Sequence, residues 1–183
     1  MILMAIIVIV LLISSLVVAE PQLIYTKHGI YGHPSDDTGQ CLPEYRLCIG
    51  NEYSARNNDY LRGEGITHVV SAIGTIGIHL PWIRYHVFEV EDGNVPMEEY
   101  WKNAYRFIDE ALEADPQNKV FIHCAAGVSR SSSTLIYYLI RKFRMPYGEA
   151  YSLVKAARHV IQPNKRFERD LSALAEAWKK VDL

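Results

Sequence analysis

Residues 123–131, His-Cys-Ala-Ala-Gly-Val-Ser-Arg-Ser, combine residue types that suit the chemistry of a small anion. Cys124 and Arg130 stand six positions apart, so a tight loop can place a thiol and a guanidinium around one phosphoryl group. The backbone N–H groups between them can point inward, and Gly127 allows a turn that a Cβ would obstruct. Arginine offers a planar fork of donors that binds two phosphoryl oxygens at once. The pattern predicts a phosphate-binding loop with a cysteine nucleophile.

The segments on either side of this loop predict a buried strand and a helix. Residues 119–123 include a short apolar run, and residues 131–143 are apolar nearly all round. The loop then lies at a helix N-terminus, where unpaired N–H groups and a partial positive charge favour bound phosphate. They also favour a thiolate over a thiol. The predicted order is therefore strand, loop and helix start.

A zinc site is the other possibility that a neighbouring histidine and cysteine raise. The chain contains no Cys-x-x-Cys pair, and His123 directly adjoins Cys124. That spacing does not resemble common zinc sites. We therefore expect no metal and no cofactor at this loop.

The reaction also needs an acid that protonates the leaving oxygen. The acidic segment before the loop offers three candidates. Alternation along the predicted strand places Glu89 and Glu91 on one face, whereas Asp92 precedes Gly93 at the start of a turn. A carboxylate on such a turn can swing over a bound phosphate. We assign the acid to Asp92, the alternative being that it only caps the turn.

The run His123-Cys124-x5-Arg130-Ser131 resembles the signature of the cysteine-dependent protein tyrosine phosphatases, and the wider sequence is similar to their dual-specificity branch. The similarity extends over about residues 43–178. Its further matching segments lie at residues 47–57, 65–70 and 150–167. The resemblance also favours Asp92, because the family carries an aspartate at the end of this strand.

The resemblance implies a two-step reaction. Cys124 attacks phosphorus while Asp92 protonates the departing oxygen, and a phosphocysteine forms. Asp92 then acts as a base on water, and the Ser131 hydroxyl stabilises the returning thiolate. His123 orients the cysteine backbone through hydrogen bonds, or else is a satisfied core histidine.

Uncharged residues occupy the variable positions of the loop. They are Ala125, Ala126, Val128 and Ser129. Phosphatases of phosphoinositides or RNA ends often carry extra basic residues there, so a neutral loop favours a phosphorylated protein substrate. A phosphoinositide or other non-protein phosphatase of the same fold is the alternative, and an inactive phosphate-binding module is a second one. The presence of Cys124, Arg130 and Asp92 argues against the inactive module.

Two residues downstream match family positions near the phosphate. Arg158 matches a position that helps some relatives to bind a second phosphate, although a surface salt bridge explains it equally well. Asn164 is expected to start the last helix and, by resemblance, to support the phosphate loop.

The composition is consistent with one globular enzyme. The chain has 183 residues, 49% of them hydrophobic and 22% charged, with a net charge of −2. No long basic stretch indicates nucleic-acid binding. The sequence does not reveal the oligomeric state.

The hydrophobic pattern predicts an α/β fold with a central mixed sheet flanked by helices. Strands are expected near residues 46–49, 67–72, 84–90 and 119–123. Helices are expected at residues 96–114, 131–143, 147–159 and 164–180.

Residues 1–19 carry no charged side chain and predict an N-terminal hydrophobic helix that serves as a signal-anchor or a signal peptide. Their length suffices to span a bilayer, which takes about 17–25 residues. The small residues before Glu20 also resemble a cleavage site. Since the nearest positive side chain is Lys27, we expect membrane anchoring with a cytosolic catalytic domain, with secretion after cleavage as the alternative.

Residues 20–42 have the composition of a linker, and residues 43–183 form the predicted catalytic domain. A reducing compartment suits the reactive Cys124. In that setting Cys48 is expected to be a small buried strand residue. An exported chain could instead join Cys41 and Cys48 in a disulfide.

Overall fold

Short strands and helices alternate along a computed structural model of the chain, which describes residues 25–26, 29–30, 38–77 and 79–179. A small antiparallel pair comes first, formed by β1 (Tyr25–Thr26) and β2 (Gly29–Ile30). The remaining described strands form one sheet. They are β3 (Gln40–Leu42), β4 (Leu47–Gly50), β5 (His68–Ser71), β6 (Arg84–Val87) and β7 (Val120–His123).

The five-stranded sheet has the spatial order β3-β4-β7-β5-β6. β4, β7, β5 and β6 run parallel, and β3 pairs antiparallel with β4 at one edge. Its helices are α1 (Glu52–Arg56), α2 (Asn58–Gly63), α3 (Glu98–Ala114), α4 (Arg130–Phe143), α5 (Tyr147–Ala157) and α6 (Lys165–Lys179). The predicted α/β architecture with a mixed central sheet is confirmed.

Alternate residues of the buried strands enter two separate cores. In β7, Val120 and Ile122 join the larger core with residues of α3, α4, α5 and α6. Phe121, between them, enters the smaller core with Ala55 of α1 and Leu61 of α2. Covered faces on both sides explain why β7 is apolar at successive positions, as parallel strands usually are.

Helix α4 lies in the middle of the larger core. All of its residues from Arg130 to Ile140 are buried. Helix α3 packs one apolar face against this core, with Trp101, Ala104, Ile108 and Leu112 buried. The helix that follows the phosphate loop is thus held on several sides, which fixes the direction of its N-terminus.

Residues 40–42, predicted as the end of a linker, instead form strand β3 of the sheet. Cys41 pairs directly with Cys48 of β4, and the two are joined in a disulfide. The structure therefore has the arrangement that the sequence offered as the alternative. Cys48 is nevertheless fully buried, as expected for a small strand residue.

The membrane prediction requires a correction. Within residues 25–26, 29–30, 38–77 and 79–179, no helix is both long enough and apolar enough to cross a bilayer. The longest described helix, α3, has 17 residues and carries charged side chains along one face. This finding contradicts the predicted membrane-anchored location with a cytosolic catalytic domain. The hydrophobic helix predicted for residues 1–19 lies outside the described residues.

Candidate active site

The predicted nucleophile and its loop lie at the carboxyl edge of the parallel strands. Cys124 directly follows β7, and Arg130 is the first residue of α4. Cys124 is buried and is the free cysteine of the chain. Its Sγ lies 3.3 Å from the Ser131 Oγ, so a hydroxyl faces the sulfur. The structure thus places the Cys124 thiol beside Ser131, with Arg130 at the start of the following helix.

The turn of the loop depends on a glycine. Gly127 has a φ of +68°, in the left-handed region that side chains disfavour. A Cβ at this position would lie 2.6 Å from the Gly50 carbonyl oxygen and 2.9 Å from the Arg158 Nη2. Both the backbone conformation and the close approach of β4 therefore require glycine here.

Four successive carbonyl groups of the loop, those of residues 125–128, accept hydrogen bonds from outside it. The donors are the Glu52 N–H to Ala125 (3.1 Å), Arg158 Nη2 to Ala126 (3.2 Å), Arg158 Nε to Gly127 (2.9 Å) and the Gln162 N–H to Val128 (2.9 Å). The C=O and N–H of a trans peptide point in opposite directions. The N–H groups of residues 126–129 therefore face the interior of the loop, beside the N-terminus of α4. This is an anion-binding concavity.

Arg130 adds a buried cation to this concavity. Its Nη1 donates to the Val90 carbonyl (3.1 Å), which holds the side chain against the acidic segment. Its Nε has no hydrogen-bond partner among the described residues. A buried donor that lacks a hydrogen bond is costly, so a bound anion that accepts one would relieve that cost.

Asp92 makes two contacts with the loop and one with Asn164. Its Oδ1 accepts from the Ser129 Oγ (2.7 Å) and from the Asn164 Nδ2 (2.8 Å). Its Oδ2 lies 3.8 Å from the Arg130 Nε. All three candidate acids are exposed, so exposure does not separate them. Glu89 lies against the turn at Gly74, whereas Asp92 contacts Ser129 and Arg130. The geometry therefore favours Asp92 over both glutamates.

Asn164 links the last helix to the same acid and loop. Its Oδ1 accepts from the backbone N–H groups of Arg166 (3.1 Å) and Phe167 (3.0 Å), so it caps the start of α6. Its own N–H donates to the Ser129 Oγ (3.1 Å), while its Nδ2 bonds Asp92. Asn164 thus caps the last helix through its side chain and contacts the loop through its backbone.

Arg158 lies beneath the loop and not at its mouth. It is 2% exposed, and its guanidinium reaches the Ala126 and Gly127 carbonyls and the Gln40 Oε1. α5 ends two residues before the predicted bound, because Arg158 takes an extended backbone with φ −130°. The surface salt bridge and the second-phosphate contact that the sequence suggested both require a more exposed side chain.

His123 is completely buried on the other side of the nucleophile. Burial lowers its pKa to about 4, with Arg56 acting in the same direction and the nearby Cys124 backbone opposing them. Neither ring nitrogen forms a hydrogen bond of good geometry with any described residue, and the ring stacks on Phe121 at 5.9 Å. The predicted role of His123 in orienting the cysteine backbone stays a prediction, and the ring is neutral at pH 7.

Three residues contribute to the site although the sequence analysis did not identify them. Glu52 and Gln162 act through backbone N–H groups, which every residue except proline carries, so no sequence signal marks them. Gln40 acts through its side chain, but it lies in residues with linker composition. The pairing of residues 40–42 with β4 would have pointed to it.

Known proteins are similar to this chain over the region that contains the sheet, the loop and the helices. The family model described as dual specificity phosphatase, catalytic domain, matches residues 47–177. Protein phosphatase Slingshot homolog 1 of Homo sapiens is 35% identical over 128 residues, which are 69% of this chain and 12% of that protein. Dual specificity protein phosphatase 1B of Arabidopsis thaliana is 34% identical over 137 residues, covering 74% of this chain and 79% of the relative. The chain therefore spans a small part of the Slingshot relative and most of the plant one.

Two solved structures have a fold similar to that of this chain. The crystal structure of DUSP15 has a TM-score of 0.71 and 26% identity, covering 78% of this chain and 90% of that one. The human tyrosine phosphatase-like serine/threonine/tyrosine-interacting protein has a TM-score of 0.69 and 28% identity, with coverages of 78% and 98%.

Proposed function

The chain belongs to the dual specificity phosphatase catalytic domain family, and from this premise we propose that it removes phosphate from tyrosyl and from seryl or threonyl residues of proteins. The reaction passes through a phosphocysteine on Cys124. The observation that carries the proposal is the ring of inward N–H groups at residues 126–129 around a buried thiol, closed by Arg130.

The first step transfers the phosphoryl group to the enzyme. The loop N–H groups and Arg130 bind the phosphoryl oxygens, and the Cys124 thiolate attacks phosphorus in line with the leaving oxygen. Asp92 donates its proton to that oxygen. Ser129 and Asn164 hold the carboxyl group beside the loop, which keeps the acid near the departing group.

The second step returns the free enzyme. Asp92, now a carboxylate, takes a proton from water as the water oxygen attacks the phosphocysteine. The Ser131 hydroxyl donates to the departing thiolate, consistent with its distance of 3.3 Å from the sulfur. We assign the catalytic domain to residues 43–183, with β3 as an additional edge strand before it.

A protein substrate is favoured over a lipid or nucleic acid. The variable loop residues carry no charge, and Arg158 is buried under the loop, so the loop itself presents one cation, Arg130, to the phosphate. Several relatives are named protein phosphatases, which agrees with a phosphorylated protein as the partner. Phosphoinositide phosphatase activity and an inactive phosphate-binding module are not favoured.

Assays of the full chain on a panel of substrates test this proposal. The panel contains phosphotyrosyl, phosphothreonyl and doubly phosphorylated peptides beside phosphoinositide vesicles. We expect turnover of peptides, a loss of at least about a thousandfold in Cys124→Ser, and a smaller loss in Asp92→Asn at neutral pH. Faster turnover of lipids than of every peptide, or full activity of Cys124→Ser, would overturn the assignment.

A further inference from the structure

The guanidinium of Arg158 determines the direction of two peptide groups in the phosphate loop. Its Nε donates to the Gly127 carbonyl (2.9 Å) and its Nη2 to the Ala126 carbonyl (3.2 Å). Because each carbonyl is held outward, the N–H groups of Gly127 and Val128 are turned toward the phosphate position. Two of the four inward N–H groups therefore depend on where this guanidinium lies.

Gln40 in turn fixes the guanidinium. Its Oε1 accepts a hydrogen bond from the Arg158 Nη1, a charge-assisted contact between residues 118 positions apart. Arg158 begins an irregular segment after α5, so its long side chain needs partners to hold one rotamer. Gln40 supplies one of them from the edge strand of the sheet.

The strand that carries Gln40 is itself firmly attached. Gln40 pairs with Ile49 of β4, and the next residue, Cys41, is joined to Cys48 by the disulfide. β4 is a central strand that also pairs with β7, which leads into the loop. Gln40 is therefore attached to β4, the neighbour of the strand that leads into the loop.

We propose that Gln40 is a positioning residue of the active site, which acts through Arg158 to keep the loop N–H groups directed at the phosphoryl oxygens. The inference rests on the proposed function, since the bound anion is the phosphoryl group of its substrate. Gln40 contacts no reacting atom. Loss of its oxygen lets the guanidinium move and weakens binding of the phosphoryl group equally in the ground state and the transition state.

Two variants of Gln40 separate this role from general stability. Gln40→Met keeps the length of the side chain and removes the acceptor, while Gln40→Glu keeps an acceptor oxygen. The measurements are the Kd of inorganic phosphate by calorimetry, and kcat and KM for p-nitrophenyl phosphate, on the full chain. For Gln40→Met we expect Kd and KM to rise together by about tenfold, with kcat within about twofold of wild type.

The controls make the result specific. Gln40→Glu should stay within about threefold of wild type in Kd, because the hydrogen bond to Arg158 is retained. Gln117→Met makes the same exchange at an exposed position in the turn between α3 and β7 and should change nothing. Thermal unfolding of each variant shows whether the assay temperature lies below its transition.

Phosphate binding by Gln40→Met equal to wild type would overturn the inference, as would a Gln40→Glu variant that binds as weakly as Gln40→Met. A fall in thermal stability without a change in Kd would assign Gln40 a structural role instead. Wild-type chain that neither binds phosphate nor turns over p-nitrophenyl phosphate would overturn the proposed function, and this inference with it.

Discussion

Gly127 occupies the position in the loop with the least tolerance for a side chain. Its φ is positive, and the Gly50 carbonyl oxygen would lie 2.6 Å from any Cβ placed there, so both act against a larger residue. Gly127→Ala should lower the free energy of unfolding by about 2 kcal/mol and weaken phosphate binding, since the loop must shift. Chemical denaturation and phosphate calorimetry measure the two effects.

Gly63→Ala is the matched control for that substitution. A Cβ at Gly63 meets nothing within 4 Å. The residue is the last of α2, and its helical backbone is one that alanine adopts without strain. Its stability should match or slightly exceed wild type. Equal effects of the two substitutions would contradict the requirement for glycine in the loop.

The lowered pKa of His123 should make the stability of the fold depend on pH. Its pKa is about 4 in the folded chain against 6.5 in the unfolded one, so the unfolded state binds more protons between these values. The free energy of unfolding should therefore fall as the pH decreases from about 6.5 through 4, by up to about 3 kcal/mol from this residue. Urea denaturation at a series of pH values measures the slope.

A variant without a titrating ring isolates this contribution. His68 and His86, whose pKa values are also lowered by burial, remain in both proteins. His123→Asn should therefore show a shallower decline between pH 7 and pH 5 than wild type, whatever its absolute stability. Parallel curves for the two proteins would contradict a neutral, buried His123.

The residues of the site differ in how far the sequence could indicate them. Cys124 and Arg130 were evident because a loop of fixed length requires those side chains at that spacing. Asp92 followed from its place before a turn. The burial of Arg158 could not be inferred, because the position of an arginine head group depends on strands and loops distant in sequence.

At the level of elements, the central strands were predictable because burial on both faces produces continuous apolar runs, as in β7. β3 was not, because Gln40 and Cys41 have no strong strand pattern and take the strand conformation from pairing with β4. Two helix bounds differ from the prediction because a side chain has a second role. Asn164 caps α6 and is outside it, and Arg158 leaves α5 to reach the loop.

The disulfide between β3 and β4 should stabilise the fold by a measurable amount. It closes a loop with a sequence separation of 7, for which chain entropy predicts about 2–3 kcal/mol. The variant Cys41→Ala/Cys48→Ala should lose about that much free energy of unfolding in denaturant titrations. A phosphine reductant should destabilise wild type and leave the variant unchanged.

Peptide mass analysis without reductant provides the independent check. It should show residues 41 and 48 joined, with Cys124 available to alkylation after unfolding. Free thiols at both positions, or a variant as stable as wild type, would contradict a stabilising disulfide.

At the level of the whole molecule, the phosphate loop connects parts of the chain that are far apart in sequence. Its carbonyl groups are held by the start of α1, by Arg158 and by the segment before α6. Phosphate binding should therefore stabilise the entire fold and not the loop alone. At a phosphate concentration of about 100 times Kd, the expected gain is about 2.7 kcal/mol.

Thermal unfolding with and without phosphate tests this coupling. For a chain of this size the gain corresponds to an increase of about 5–10 °C in Tm. Arg130→Met, which lacks the guanidinium of the site, should show little of that increase. An equal increase in both proteins would mean that phosphate acts elsewhere on the molecule.

The central claim is a phosphoryl group carried on Cys124, and trapping that intermediate tests it most directly. Ser131→Ala removes the hydroxyl 3.3 Å from the sulfur, so it should slow breakdown of the phosphocysteine more than its formation. Rapid-quench assays with p-nitrophenyl phosphate should then show a burst of about one product per enzyme, with phosphate on the peptide that contains Cys124. Absence of a burst together with phosphate on another residue, or on none, would contradict the account.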